Sequence, residues 1–84
     1  MNSQLILKEK SDNRIVYFYS ADSSKGIPMV SDGEIEVDLV DNTIQTLRTA
    51  THDNDGYRAR WLYPHIMRII IKEGCPKRRL IATG

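Results

Sequence analysis

Eighty-four residues, 40% apolar and 27% charged, allow one folded domain with one small core and exclude both a disordered chain and a second domain. A lone cysteine, Cys75, excludes an internal disulfide and a zinc site built on several thiolates. The net charge of +1 argues against a generic polyanion binder, yet it conceals a division: residues 1–56 carry five Lys or Arg against ten Asp or Glu, whereas residues 57–84 carry seven against Glu73 alone. Either the two halves neutralise each other or they address partners of opposite sign.

The opening residues contain a hydrophobic stretch of only three, Leu5-Ile6-Leu7, too short for a signal peptide or a membrane span. With the single cysteine, this reads as a cytoplasmic chain without membrane contact. Gln4 to Lys10 and Arg14 to Ser20 are rich in β-formers and flank the polar turn Ser11-Asp12-Asn13, predicting a hairpin of strands at about 4–10 and 14–20. From Ala21 to Gly33 the chain turns to Ser, Asp, Gly and Pro, a mobile loop expected to touch the core once, through Ile27 to Val30.

Glu34-Ile35-Glu36-Val37-Asp38-Leu39 alternates strictly. A period of two puts Ile35, Val37 and Leu39 on one face and three carboxylates on the other, so a strand is predicted over about 34–40. Asp41-Asn42 suits a tight two-residue turn into a returning strand at about 43–51, in a register that pairs Leu39 with Ile44 and sets Leu47 opposite Glu36.

After the polar break His52 to Gly56 the apolar period becomes 3.6. Ala59, Leu62, Tyr63, Ile66, Met67, Ile69, Ile70 and Ile71 fill one arc of a helix at about 58–73. Arg58, Arg60, Trp61, His65, Arg68 and Lys72 fill the remainder. Pro64 lacks an amide hydrogen and is harmless only in a first turn, so the regular part is expected from about Trp61 to Glu73. Gly74 then provides a left-handed cap and Pro76 a stop. Residues 78–83 form a short strand or a tail on the sheet. The fold implied is α+β: a small four-stranded, mainly antiparallel meander with one C-terminal helix packed on one face.

Two charged surfaces are candidate binding sites. Glu34, Glu36, Asp38 and Asp41 form an acidic row that Lys8, Lys10 and Arg48 could interleave; it is either the solvated face of a one-sided sheet or a mimic of phosphate spacing. Arg58, Arg60, Trp61, Arg68, Lys72, Lys77, Arg78 and Arg79 form the second surface, in which a tryptophan stands among cations, as in stacking platforms and interface anchors. Covered by the sheet or by the preceding loop, the same tryptophan would instead belong to the edge of the core.

Catalysis and metals find little support. His52 and Asp53 are adjacent in sequence, and His65 and Cys75 lie near opposite ends of the helix, so neither pair converges on one atom. Asp53, Asp55 and Gly56 match positions three, five and six of a calcium loop, but the first position is Thr51 and the last Leu62, so the bidentate carboxylate is absent, and a turn followed by a helix cap explains the same residues. Neither a metal nor a cofactor is expected. Arg58-Ala59-Arg60-Trp61, followed by a helix and then Gly74 to Ile81, resembles the acyl-CoA-binding segment of the GNAT acetyltransferases. That resemblance, over under a third of the chain, implies a degenerate acyl-CoA-binding module. Ala59 to Tyr63, however, has no glycine to admit a phosphate.

The leading expectation is a small non-catalytic protein that binds another macromolecule, foremost a protein, as a regulator, adaptor or inhibitor. Nucleic-acid binding through the basic C-terminal third is the first alternative and acyl-CoA binding the second. Tyr63, Met67 and Ile71, at the edge of the apolar arc, are a candidate seam for a homodimer.

Overall fold

The computed structural model describes residues 2–21 and 28–82. Five strands and one helix follow in the order β1 (Asn2–Lys10), β2 (Arg14–Tyr19), β3 (Gly33–Asp38), β4 (Thr43–Arg48), α1 (Tyr57–Glu73) and β5 (Arg78–Ala82). All pairings are antiparallel, and the strand order across the sheet is β4-β3-β2-β1-β5. The expected four-stranded meander is therefore present with a fifth strand added, because the chain returns from α1 to pair alongside β1. Arg78, Leu80 and Ala82 fall on one face of β5 and Arg79 and Ile81 on the other, an alternation too short to separate a strand from a tail in advance.

Alternation explains which face is covered. Leu5, Tyr17, Tyr19, Ile35, Val37 and Ile81 lie beneath α1, whose Ala59, Leu62, Ile66 and Ile69 close the core from above. Tyr19 and Gly33 are direct cross-strand partners. A β-carbon on Gly33 would stand 2.2 Å from the Tyr19 ring, so the absence of a side chain there is what lets a large aromatic lie flat on the sheet.

Two turns differ from expectation. The β3–β4 connection runs over four residues, not two, since Asp38 pairs with Thr43 and Val37 with Ile44. Asp38 accepts the amides of Val40 (2.8 Å) and Asp41 (3.0 Å), and Asn42 takes the left-handed conformation at φ 55°, as its side chain permits. In this register Glu36 pairs with Gln45, so Leu47 does not stand opposite Glu36 as expected, and a register shift between Glu34 and Ile35 leaves it as an extra, exposed residue in β4. In the Ala21 to Gly33 connection, Ile27 lies outside the described residues and Val30 is exposed.

The helix begins at Tyr57, four residues before the expected regular part, with Pro64 inside it. The deleted amide would have bonded the Arg60 carbonyl. Both Pro64 and Arg60 are on the exposed side, where water can take that carbonyl, so the proline is tolerated. Gly56 and Gly74 bracket the helix in left-handed conformations, the second as expected. No helix among the described residues is long and apolar enough to cross a membrane.

Candidate functional site

The start of α1 is held by Asp53, within the segment read from the sequence as a turn followed by a helix cap. Asp53 is 4% exposed. Its carboxylate accepts the Arg58 amide (2.9 Å), the Ala59 amide (3.1 Å) and the Tyr19 hydroxyl (2.6 Å). Tyr19 in turn accepts the Ala50 amide at 2.9 Å, so one phenol ties the chain before the helix to the middle of the sheet. Burial, foremost, and the bond to Asp53 push the Tyr19 hydroxyl well above the ordinary tyrosine range. Asp55 accepts the Tyr57 amide (3.0 Å) and the Gly56 carbonyl accepts that of Arg60 (3.1 Å). All four amides of the first helical turn are thus engaged by the chain itself, and none is left to cradle the pyrophosphate of an acyl-CoA. No group of three or more His, Cys, Asp or Glu among the described residues could hold a metal ion. Asp53, far from being a calcium ligand, caps a helix.

The acidic row is largely spent within the sheet. Glu34 pairs with Lys8 at 2.6 Å, Glu36 with Arg14, and Glu36 also accepts the Gln45 amide at 2.8 Å. Arg14 bridges further to Glu9 at 2.9 Å. The bonds from Gln45 and Arg14 hold the Glu36 carboxyl below its usual range. Lys8 interleaves as expected. Lys10 does not, because a register shift between Leu7 and Glu9 sends it to the other face, opposite Ile15. Arg14 takes that place. Asp38 is occupied by the turn, and Asp41 stands exposed beyond it.

The cationic set is divided in space. Arg58 is 6% exposed, so its expected outward position is corrected: its guanidinium lies 4.4 Å from the centroid of the Trp61 ring, a contact strengthened by desolvation. Trp61 is half-buried and packs on the core, with the His65 ring 4.5 Å away. The indole thus stands at the edge of the core with its ring contacts taken by Arg58 and His65. Arg60 falls on the opposite flank of the helix, beside Arg48 and Tyr63, in a cleft of about 320 Å³ against β4. Its Nη1 donates to the Asp55 carbonyl at 3.0 Å. Tyr63 and Met67 are half-buried on the core, Tyr63 bonding Thr46 at 2.6 Å, while Ile71 is 76% exposed.

Arg68 and Arg79 meet on the β5 side of the helix, Lys77 and Arg78 lie at the start of β5, and Lys72 is on the last turn of α1. On the β5 side the last turns of α1 and β5 enclose a groove of about 240 Å³. Arg79 is paired with Glu73 at 2.9 Å and donates to the Leu80 carbonyl at 2.6 Å, a union that holds the Glu73 carboxyl below its usual range. Arg68 contacts the Nδ1 of His65 at 2.9 Å. Burial and the charges of Arg68 and Arg58 lower the His65 pKa, so the ring is neutral near pH 7 and Nδ1 accepts from the guanidinium. Lys72, Lys77 and Arg78 are exposed, and their side chains form no ion pair among the described residues.

Sequence reading missed the Tyr19–Asp53–Ala50 assembly and the groove. The first joins residues up to 34 positions apart, and the second exists only because residues 78–82 form a strand. No family model, no curated protein and no solved structure matches the chain.

Proposed function

We propose that this chain is a small cytoplasmic, non-catalytic protein that binds an acidic partner protein, as a regulator, adaptor or inhibitor, through the exposed cations of α1 and β5. One observation carries the reading. The ion pairs Lys8–Glu34, Arg14–Glu9, Arg14–Glu36 and Arg79–Glu73 each lie within one half of the chain. Glu9, Glu34 and Glu36 of the sheet are paired with Lys8 and Arg14 of the sheet, while Lys72 on the last turn of α1 and Lys77 and Arg78 at the start of β5 are exposed without an ion pair among the described residues. A one-sided positive surface speeds encounter with a negative one and selects against partners of like charge.

Three further features support a protein over a nucleic acid. The tryptophan that would stack on a base already contacts Arg58 and His65. Exposed cations on the flank are few beside the six to ten phosphate contacts of strong nucleic-acid binders. Leu80, half-exposed among the cations, offers an apolar footing.

The reading is tested by affinity capture from the native host with the wild-type chain and with the triple variant Lys72→Glu, Lys77→Glu, Arg78→Glu, each with and without nuclease. A nuclease-resistant acidic protein retained by the wild type and lost by the variant is expected. Equal retention by both chains refutes the assignment of this surface. Nuclease-sensitive capture, with Trp61 fluorescence quenched by oligonucleotide, transfers it to nucleic acid.

A further inference from the structure

Resting on that protein-binding reading, we propose that β5 takes an extended acidic segment of the partner as a sixth strand, seated in the groove between β5 and α1. β5 pairs with β1 from Ile6↔Arg78 to Asn2↔Ala82 and ends the strand order, so among the described residues no strand occupies its other edge. The backbone groups of Arg78, Leu80 and Ala82 face that edge and can pair with an incoming backbone, apart from the Leu80 carbonyl, which already accepts Arg79 Nη1 at 2.6 Å and would have to be released. Main-chain pairing at such an edge supplies affinity, and alternate side chains supply selection.

Selection here is set by charge. On the helix side, side chains of an added strand enter the groove beside Ile69, Ile81 and Arg68. On the other side they lie along Arg78 and Leu80. Arg79 is ion-paired with Glu73, whose carboxyl also feels the charge of Arg68, whereas neither Arg68 nor Arg78, on the two sides, forms an ion pair among the described residues. A segment carrying carboxylates on both faces complements them, with apolar residues between to cover Leu80 and Ile81. A second copy pairing β5 to β5 would repeat Lys77, Arg78 and Arg79 and bring no carboxylate but Glu73, so charge favours a foreign acidic segment over self-association.

The test uses the full chain and a blocked synthetic octapeptide of the repeat Glu-Glu-Val-Val, which sets Glu and Val on both faces of a strand, followed by hydrogen exchange and titration. Two analogues carry N-methyl groups, one at every odd position and the other at every even position. Charge is unchanged in both, but one loses the amides that face β5. Slowed exchange at alternate amides of β5 is expected, with affinity lower by at least about ten-fold for one analogue and nearly unchanged for the other. If both analogues bind like the parent while Arg68→Glu with Arg78→Glu weakens binding, strand addition is wrong and the cationic surface stands. Should that double variant bind as tightly as the wild type, the surface itself is wrong. Binding of single-stranded oligothymidylate in place of the peptide overturns both. A dimer in light scattering with β5 already protected overturns the foreign segment in favour of a second copy.

Discussion

Replacing Tyr19 by Phe removes one oxygen from a fully buried ring and tests whether the helix is anchored through it. The phenol donates to the Asp53 carboxylate at 2.6 Å and accepts from the Ala50 amide at 2.9 Å. Loss of a hydrogen bond to a charged group costs about 1.5–3 kcal/mol, and a buried amide left without its acceptor about 1–3 kcal/mol. The two losses share one atom and overlap, so about 2–4 kcal/mol is expected. A domain of this length has a stability of about 4–12 kcal/mol, and the loss translates to a Tm lower by about 10–25 °C. Urea unfolding followed by helical circular dichroism measures it. A second readout is alkaline. Because the folded-state pKa of Tyr19 lies above the ordinary 10.0, its contribution is intact below pH 10 and declines as pH rises beyond it, when the unfolded chain releases the proton first. Tyr19→Phe flattens that decline in part, leaving the share due to Tyr17, whose hydroxyl is likewise raised, mainly by burial. A loss under about 0.5 kcal/mol, within the range of an ordinary surface substitution, refutes the anchoring argument.

Gly33→Ala is expected to cost about 1–3 kcal/mol, because the new methyl group overlaps the immobile Tyr19 ring; chemical denaturation near the wild-type midpoint contradicts this. Ser3 is fully buried and its hydroxyl has no hydrogen-bond partner among the described residues. Ser3→Ala should therefore leave stability unchanged or raise it by about 1 kcal/mol, and thermal unfolding below the wild type would show that the hydroxyl is satisfied. His65 resists protonation because of burial and its neighbours Arg68 and Arg58, which sets its folded pKa below 6.5. Its contribution is whole above pH 6.5 and is lost as pH falls through the lower folded value, so urea midpoints taken between about pH 7.5 and about pH 5 should drop less steeply in His65→Gln.

Local pattern carried much of this fold. The alternation of Glu34 to Leu39 placed β3, the change of period after Gly56 placed α1, and Gly74 with Pro76 placed its end. Each signal lies in consecutive residues and reflects one covered face. What stayed hidden depends on residues distant in sequence. Asp53 reads as part of a turn and helix cap, but its bond to Tyr19, 34 positions away, cannot be read from its neighbours. Arg58 reads as a surface cation until its guanidinium meets Trp61 beside the core. Residues 78–82 carry two arginines beside three apolar residues, too little pattern to decide between the short strand and the tail expected there, although the strand is what creates the groove. Pro64 misled for the opposite reason: a strong local rule against proline in helices yielded to water on the exposed side.

The acidic row shows how a conspicuous motif can be structural. Glu34 and Glu36 stand on the outer face of the sheet beside Val16, which is only 1% exposed there because the long paired chains around it provide cover. Glu34 and Glu36 are paired within the sheet, whereas Lys72, Lys77 and Arg78 form no ion pair among the described residues.

That division is tested most directly by titrating an acidic partner, once captured, against two charge variants of similar stability. One carries Lys72→Glu, Lys77→Glu and Arg78→Glu; the other carries Glu34→Gln, Glu36→Gln and Asp41→Asn. The account predicts that the first variant binds weaker by at least about ten-fold and the second within about two-fold of the wild type. Strong loss in the second variant with the first unaffected would place the binding surface on the sheet and contradict it.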